Sequence, residues 1–193
     1  MRLVLATRND HKVRELERLI GGVALEPLPA GVTLPPEDGD TFAANALDKA
    51  RAATAALGRP AIADDSGIEA AALGGGPGIF SARFAGPAAS DAQNLAKLRT
   101  EAPAGSGLRY VCVMAYAEPG GEERTFTGVC DGTLSGDARG TGGFGYDPAF
   151  LPVDVADGRT MAELSDAEKD AISHRGRAAR ALLAWLHARG RAS

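Results

Sequence analysis

The chain is poor in the features that mark several large classes of protein. It has only two cysteines, Cys112 and Cys130, and their spacing matches neither a CxxC metal site nor a disulfide framework. No stretch approaches the roughly 18 apolar residues that a membrane-spanning helix requires. The apolar run at residues 3–6 is also too short for a signal peptide. We therefore expect a cytoplasmic protein with two reduced thiols and no membrane partner.

Charge is nearly balanced, with 21 basic and 25 acidic residues and a net charge of −4. Such a balance gives no general attraction to nucleic acid, so we expect no nucleic-acid partner. Lysine is scarce, because 17 arginines accompany only four lysines, at positions 12, 49, 97 and 169. A compositional preference for arginine explains most of this difference. The positions that remain lysine are modestly favoured for roles that arginine does not fill.

The order of apolar patterns predicts an α/β fold. Helices are predicted around residues 13–20, 41–57, 90–99, 165–172 and 176–188, and strands at 3–6, 23–28, 61–63, 109–118 and 123–134. The last two strands flank a Pro-Gly-Gly turn and form a hairpin. Early alternation of strand and helix followed by a hairpin favours a mixed β-sheet flanked by helices. We see no linker or repeat, so we expect a single domain over residues 1–193.

Two adjacent carboxylates, Asp64 and Asp65, follow the short apolar strand at residues 61–63. Like charges at close range repel unless a cation neutralises them, and Mg²⁺ prefers carboxylate oxygens. At the carboxyl end of a strand, one aspartate would hold the metal while it or its neighbour orients an attacking water. The alternative is a turn in which an aspartate caps and Gly67 takes a positive φ. From the residues alone the two readings are equally supported.

Two polar segments in the first quarter of the chain suit a phosphate and a metal. Residues 7–12 lead into a helix N-terminus, and Lys12 in its first turn opposes the helix dipole unless an anion binds there. Asn9 could equally be a simple cap beside a solvated lysine. The acidic segment 37–40 could supply a metal ligand such as Glu37, or only an N-cap for the next helix.

Two segments in the last third suit a purine base. The Gly-rich segment 142–147 contains two aromatic residues that could stack on a purine, while Asp147 could accept from ring N–H groups. A buried aromatic turn is the alternative. His174 and Arg175, after Lys169, lie at a junction of two helices and could bind a base carbonyl or a phosphate. A histidine in such a place is usually a cap or a surface group.

Taken together, these segments resemble the inosine triphosphate pyrophosphatase family, which hydrolyses non-canonical purine nucleoside triphosphates. The matching segments are Thr7-x-Asn9-x-x-Lys12, Glu37-x-Gly39-x-Thr41-Phe42-x-x-Asn45-Ala46, Ala63-Asp64-Asp65-Ser66-Gly67, Pro77-Gly78-Ile79-Phe80-Ser81-Ala82-Arg83, Gly140-Thr141-Gly142-Gly143-Phe144-Gly145-Tyr146-Asp147-Pro148 and Ala171-Ile172-Ser173-His174-Arg175-Gly176. Each segment alone is of modest specificity. Their common order over nearly the whole chain makes a chance match very improbable.

The resemblance implies an elongated, two-lobed α/β protein with a central cleft, usually a homodimer. It implies Mg²⁺-dependent hydrolysis of ITP, dITP or XTP between the α- and β-phosphates, giving a monophosphate and pyrophosphate. By position, Asp65 resembles the proton acceptor and a metal ligand, Glu37 a second metal ligand, and Asp64 a close neighbour of the site. The residues that resemble substrate contacts are Thr7, Arg8, Asn9, Asp10, His11, Lys12 and Lys169 for the triphosphate, and Ser66, Phe144, Gly145, Tyr146, Asp147, His174 and Arg175 for the nucleoside and base.

Two positions depart from the family pattern. Ala44 stands where many relatives have a glutamate, so any metal or water contact from that position is lost or supplied by another acid. Arg8 stands where relatives often have glycine, and either adds charge near the phosphates or points to solvent. Two other functions remain open: a pyrophosphatase for modified pyrimidine or canonical triphosphates, and a nucleotide-binding module without chemistry. Ala44 favours the module, whereas the intact Asp64-Asp65 pair opposes it.

Overall fold

A computed structural model describes residues 2–190 and contains one mixed β-sheet. Its strands are β1 (Arg2–Leu5), β2 (Ala24–Pro27), β3 (Ala61–Ala70), β4 (Gly107–Ala117), β5 (Glu123–Leu134) and β6 (Phe150–Pro152). Their order across the sheet is β2-β1-β3-β4-β5-β6. β1 is parallel to both β2 and β3, whereas β6 is antiparallel to β5. The prediction of an α/β fold with a mixed sheet is confirmed.

Five α-helices lie within residues 2–190, and neighbouring residues cap the N-termini of four of them. They are α1 (Asp10–Leu19), α2 (Phe42–Leu57), α3 (Asp91–Glu101), α4 (Asp166–Ile172) and α5 (His174–Gly190). The side chains of Asn9, Thr41, Ser90 and Ser165 accept hydrogen bonds from backbone N–H groups in the first turns of α1 to α4. Gly58 ends α2 with φ +61°. None of the helices described within residues 2–190 is long and apolar enough to span a lipid bilayer.

The chain divides into two compact units. Within the described residues, the first unit comprises 2–65, 112–128 and 175–190, and the second comprises Ser66–Val111 and Val129–His174. Two apolar clusters form the core of the first unit, one rich in leucine around Leu16 and one rich in alanine around Ala50. The core of the second unit lies around Ile68 and Phe150. One two-lobed domain with a central cleft stays a prediction.

Two features of the sheet differ from the sequence prediction. β3 does not end at Ala63 but continues to Ala70. The prediction that Asp64 and Asp65 follow the strand is therefore wrong, as is the alternative of a turn, because both carboxylates lie within the strand. Eight of its ten residues are buried, and cations from other elements neutralise Asp64. Because these partners come from distant sequence, the local pattern did not reveal the continuation. β6, with only three residues, is too short to show an alternating pattern.

Candidate active site

Asp64 is the buried counter-ion of two basic side chains in the first unit. Its Oδ2 atom lies 3.1 Å from Lys12 Nζ on α1 and 3.2 Å from Arg175 Nη2 on α5. Arg175 Nε donates to the same oxygen at 3.3 Å. Burial alone would raise the pKa of Asp64, but the charges of Lys12, Arg175 and Lys49 hold that pKa well below its usual range. Asp64 is therefore a buried carboxylate that is stabilised in its ionised form and pairs with two cations.

Lys49, which no sequence motif singled out, is the third cation of this group. It is buried on α2, donates to the Asp64 backbone carbonyl at 2.6 Å, and forms an ion pair with Glu37. Burial would raise the pKa of Glu37, but the Lys49 charge lowers it below its usual value. The scarcity of lysine was the available signal, because Lys12 and Lys49 both lie in this cluster.

Asp65 has a different environment from its neighbour, although it too is buried at 4% exposure. Its Oδ2 accepts from Asn45 Nδ2 at 2.8 Å, and the Oδ1 of the same asparagine accepts from the Gly39 N–H at 2.8 Å. Burial and the charge of Glu37 raise the pKa of Asp65, against the opposing effect of Lys12 and Lys49. Adjacent carboxylates whose pKa values move in opposite directions are a recognised basis for dividing acid–base roles.

Arg175 lies deep in the first unit at 1% exposure. Besides Asp64, it contacts Glu15 on α1, with Nη1 donating to Glu15 Oε2 at 2.6 Å. Two buried carboxylates therefore face this one guanidinium, and burial without them would lower its pKa. Its ion pairs fix the start of α5 against α1 and β3. The contact of Arg175 with a base stays a prediction.

The donor chemistry of Glu37 and Asp65 fits a magnesium ion. Within residues 2–190, no three His, Cys, Asp or Glu side chains form a closed metal site. Magnesium does not require one, since it commonly binds through one or two carboxylates and completes its shell with water and substrate phosphate. Glu37 and Asp65 supply such oxygens and lie within electrostatic range of each other. Ala44 contributes no third carboxylate.

The predicted phosphate-binding segment divides into buried and exposed residues. Thr7 and Lys12 are buried, whereas Asp10 and His11 are exposed. Asn9 caps α1 by accepting from the N–H groups of residues 11 and 12. The Arg8 guanidinium donates to the backbone carbonyls of residues 28, 29, 30 and 32. Lys12 thus belongs to the group of cations around Asp64, whereas the Arg8 side chain binds a loop. The substrate contacts of the segment stay predictions.

Asp147 organises a second polar cluster, which belongs to the second unit. Its Oδ2 accepts from Lys169 Nζ at 2.6 Å and from the Phe144 N–H at 2.9 Å. Its Oδ1 accepts from the Tyr110 hydroxyl at 3.0 Å. The Tyr110 ring stacks on His174 with centroids 4.5 Å apart and an interplanar angle of 5°. Four of the predicted substrate contacts therefore meet at one place, together with Tyr110, which the sequence did not indicate.

Other predicted base contacts are held by the Gly-rich loop and its surroundings. The Tyr146 hydroxyl donates to the Ser81 carbonyl at 2.7 Å and its ring is buried in the core of the second unit. The Gly145 N–H donates to Asp91 Oδ2 at 2.8 Å. Ser66 is a partly exposed residue of β3. Stacking of Tyr146 on a base and the nucleoside contact of Ser66 stay predictions.

Known proteins resemble this chain over almost its whole length. A model of the Ham1 family matches residues 3–185. A dITP/XTP pyrophosphatase of Symbiobacterium thermophilum is 50% identical over 92% of this chain and 90% of its own. One of Syntrophobacter fumaroxidans is 46% identical over 97% and 85%. The solved structure of a HAM1 protein from Coxiella burnetii matches with a TM-score of 0.86 and 38% identity, covering 97% of this chain and 98% of its own. The resemblance predicted from the six segments is therefore confirmed, and the chain belongs to the Ham1 family.

Proposed function

We propose that this protein hydrolyses non-canonical purine nucleoside triphosphates, cleaving the bond between the α- and β-phosphates to release a monophosphate and pyrophosphate. ITP, dITP and XTP are the proposed substrates and Mg²⁺ the proposed cofactor. The names of the relatives, dITP/XTP pyrophosphatases, support the substrate class. The observation that carries the proposal is the Asp64-Asp65 pair, in which one carboxylate is held ionised among cations and the other is shifted toward protonation.

In the proposed reaction, Asp65 accepts the proton of the attacking water. A raised carboxyl pKa improves a general base near neutral pH. Lys12 and Lys49 offset the charge of the triphosphate, which matters because phosphoryl transfer depends on positioning and charge neutralisation more than on a strong nucleophile. Magnesium, when bound through Glu37 and Asp65, supplies further positive charge to the phosphate oxygens.

Base recognition is assigned to the cluster around Asp147. Its carboxylate and the Phe144 ring offer hydrogen-bonding and stacking groups of the kind that a 6-oxo purine can satisfy. Lys169, which the resemblance places at the triphosphate, donates to Asp147 and lies over the Phe144 ring, so we propose it for this cluster instead. A site whose polar groups form hydrogen bonds with the 6-oxo edge of a purine leaves those groups unpaired when adenine, with its 6-amino group, binds instead. This proposal therefore includes a preference for dITP over dATP. A homodimeric state and a cytoplasmic location remain predictions.

Pyrophosphate release tests the proposal directly. Purified protein is assayed with dITP, XTP, ITP, dATP, dGTP and a pyrimidine triphosphate, each with Mg²⁺ and with a chelator in its place. We expect rapid release from the first three nucleotides and none after chelation. Equal rates on ITP and ATP would contradict the specificity and favour a pyrophosphatase of another substrate range. Tight ITP binding without product would favour the non-catalytic module.

A further inference from the structure

The Arg8 side chain holds a segment of backbone that has no regular secondary structure. Its Nη1 donates to the carbonyl of Leu28 at 2.9 Å. Its Nη2 lies 2.7, 3.4 and 2.8 Å from the carbonyl oxygens of Pro29, Ala30 and Val32. Four carbonyls from one short segment thus converge on a single guanidinium.

The segment that Arg8 holds leads directly to Glu37. Residues 28–41 lie between β2 and α2 without helix or strand. At the far end of the segment, the Gly39 N–H donates to Asn45 Oδ1, and Asn45 also holds Asp65. Glu37 therefore lies between two anchors, one made by Arg8 and the other by Asn45. Val32 and Leu34 pack on the alanine-rich core and provide a further, apolar attachment.

From this arrangement we infer that Arg8 is a positioning residue for the metal site, and that it acts by holding the 28–32 backbone so that Glu37 is presented to a divalent cation. The inference rests on the proposed role of Glu37 as a metal ligand. A guanidinium suits the task because its two terminal nitrogens lie in a fixed plane and reach separate carbonyls, which a lysine ammonium cannot reproduce. Because these carbonyls occupy its terminal nitrogens, the guanidinium is not expected to bind phosphate.

Hydrogen exchange of the metal-free protein tests the anchoring without reference to activity. In Arg8→Ala, backbone amides in residues 28–41 are expected to exchange faster than in the unaltered protein, because local opening is easier when tethering contacts are lost. Arg59→Ala is the matched control, since Arg59 is an arginine of the same unit whose guanidinium pairs with Glu26. Unchanged exchange over 28–41 in Arg8→Ala would overturn the inference whether or not the protein is a pyrophosphatase.

Measurements of metal affinity then distinguish anchoring of the 28–32 backbone by Arg8 from a direct contact between Arg8 and phosphate. Mn²⁺ affinity, measured by electron paramagnetic resonance without nucleotide, is expected to fall by roughly tenfold in Arg8→Ala, as for partners that orient metal ligands. The Mg²⁺ concentration for half-maximal dITP hydrolysis rises correspondingly, while KM for dITP at saturating Mg²⁺ is nearly unchanged. Added guanidinium ion, below denaturing concentrations, restores Mn²⁺ binding to Arg8→Ala and leaves Arg59→Ala unaffected.

Arg8→Lys distinguishes charge from shape, since it keeps the positive charge and loses the planar fork. We expect its exchange over residues 28–41 to remain faster than in the unaltered protein and its Mn²⁺ affinity to remain lowered. A rise in KM for dITP in Arg8→Ala that Arg8→Lys reverses, with unaltered Mn²⁺ binding in both, would assign Arg8 to the phosphates and overturn the inference.

Discussion

Each of the two units contains a buried lysine paired with a buried aspartate, and the surroundings of the two pairs differ. In the first unit Lys12 lies 3.1 Å from Asp64, and in the second Lys169 lies 2.6 Å from Asp147. Asp147 is satisfied on both oxygens by the lysine, a backbone N–H and the Tyr110 hydroxyl. Its contacts fix the shape of the Gly-rich loop.

The pair in the first unit belongs to a larger set of charges that do not cancel. Lys12, Lys49 and Arg175 face the carboxylates of Asp64, Asp65, Glu37 and Glu15. Burial and the charge of Glu37 raise the pKa of Asp65, against the opposing charges of Lys12 and Lys49. The balanced pair of Lys169 and Asp147 thus stabilises the shape of the Gly-rich loop. The unbalanced set of charges in the first unit provides the groups that we propose bind a cation and a phosphate. In the proposed function, chemistry therefore belongs to the first unit and recognition to the second.

The largest expected effect is on turnover, in Asp65→Asn. Loss of a general base lowers kcat by about 10²–10⁴-fold, and the asparagine can still accept from Asn45, so the fold is retained. Steady-state pyrophosphate release measures kcat, and far-UV circular dichroism checks the fold. Asp131→Asn, which removes an exposed carboxylate paired with Arg109, is the control and should leave kcat unaltered. Near-normal turnover in Asp65→Asn would contradict the role of Asp65 as general base and, with it, the proposal that catalysis occurs in the first unit.

Asp64→Asn is expected to give the largest loss of stability. Two buried cations, Lys12 and Arg175, would lose their shared counter-ion, and breaking such an ion pair costs roughly 5 kcal/mol at the upper end of the measured range. Urea unfolding measures the free energy, with Asp65→Asn as the comparison one residue away. Equal losses of unfolding free energy in the two variants would show that Asp64 contributes no more to stability than Asp65 does.

Features set by neighbouring residues were predictable from the sequence. The caps at Asn9, Thr41 and Ser90 depend on side chains that reach N–H groups two or three residues away. The hairpin of β4 and β5 likewise follows from a short turn between two apolar runs. Such contacts depend on a few adjacent positions, so a pattern in the sequence was sufficient.

The charged clusters depend on contacts between distant positions, and there the sequence was insufficient. Arg175 and Asp64 are 111 residues apart, and Tyr110 and Asp147 are 37 apart. The adjacent carboxylates made the Asp64-Asp65 pair a candidate site, and similarity to a family selected Asp65 within it, but neither revealed Lys49. The continuation of β3 through two aspartates was missed for the same reason, since the cations that make it tolerable lie on α1, α2 and α5.

Asp147→Asn tests whether the second unit affects substrate preference rather than turnover. Lys169 would lose its counter-ion, which costs about 3 kcal/mol at the lower end for a buried pair. We expect KM for dITP to rise and the preference over dATP to shrink, with kcat reduced far less than in Asp65→Asn. The double variant Asp147→Asn, Lys169→Met removes both charges, so it should recover stability without recovering the preference. A fall in kcat equal to that of Asp65→Asn would place chemistry in the second unit as well.

The smallest expected effect concerns the backbone that carries Asp147. Gly143 has φ +66°, and a Cβ there would lie 2.0 Å from Asp147 Oδ2, whereas Gly145 has φ +64° and open space around its Cβ position. Alanine in the left-handed region costs about 1–2 kcal/mol at either position. Gly143→Ala should therefore lose about 1 kcal/mol more than Gly145→Ala in urea unfolding, because Asp147 must move or the loop must deform. Equal losses would mean that the carboxylate shifts freely, which would weaken the claim that the balanced pair fixes the shape of this loop.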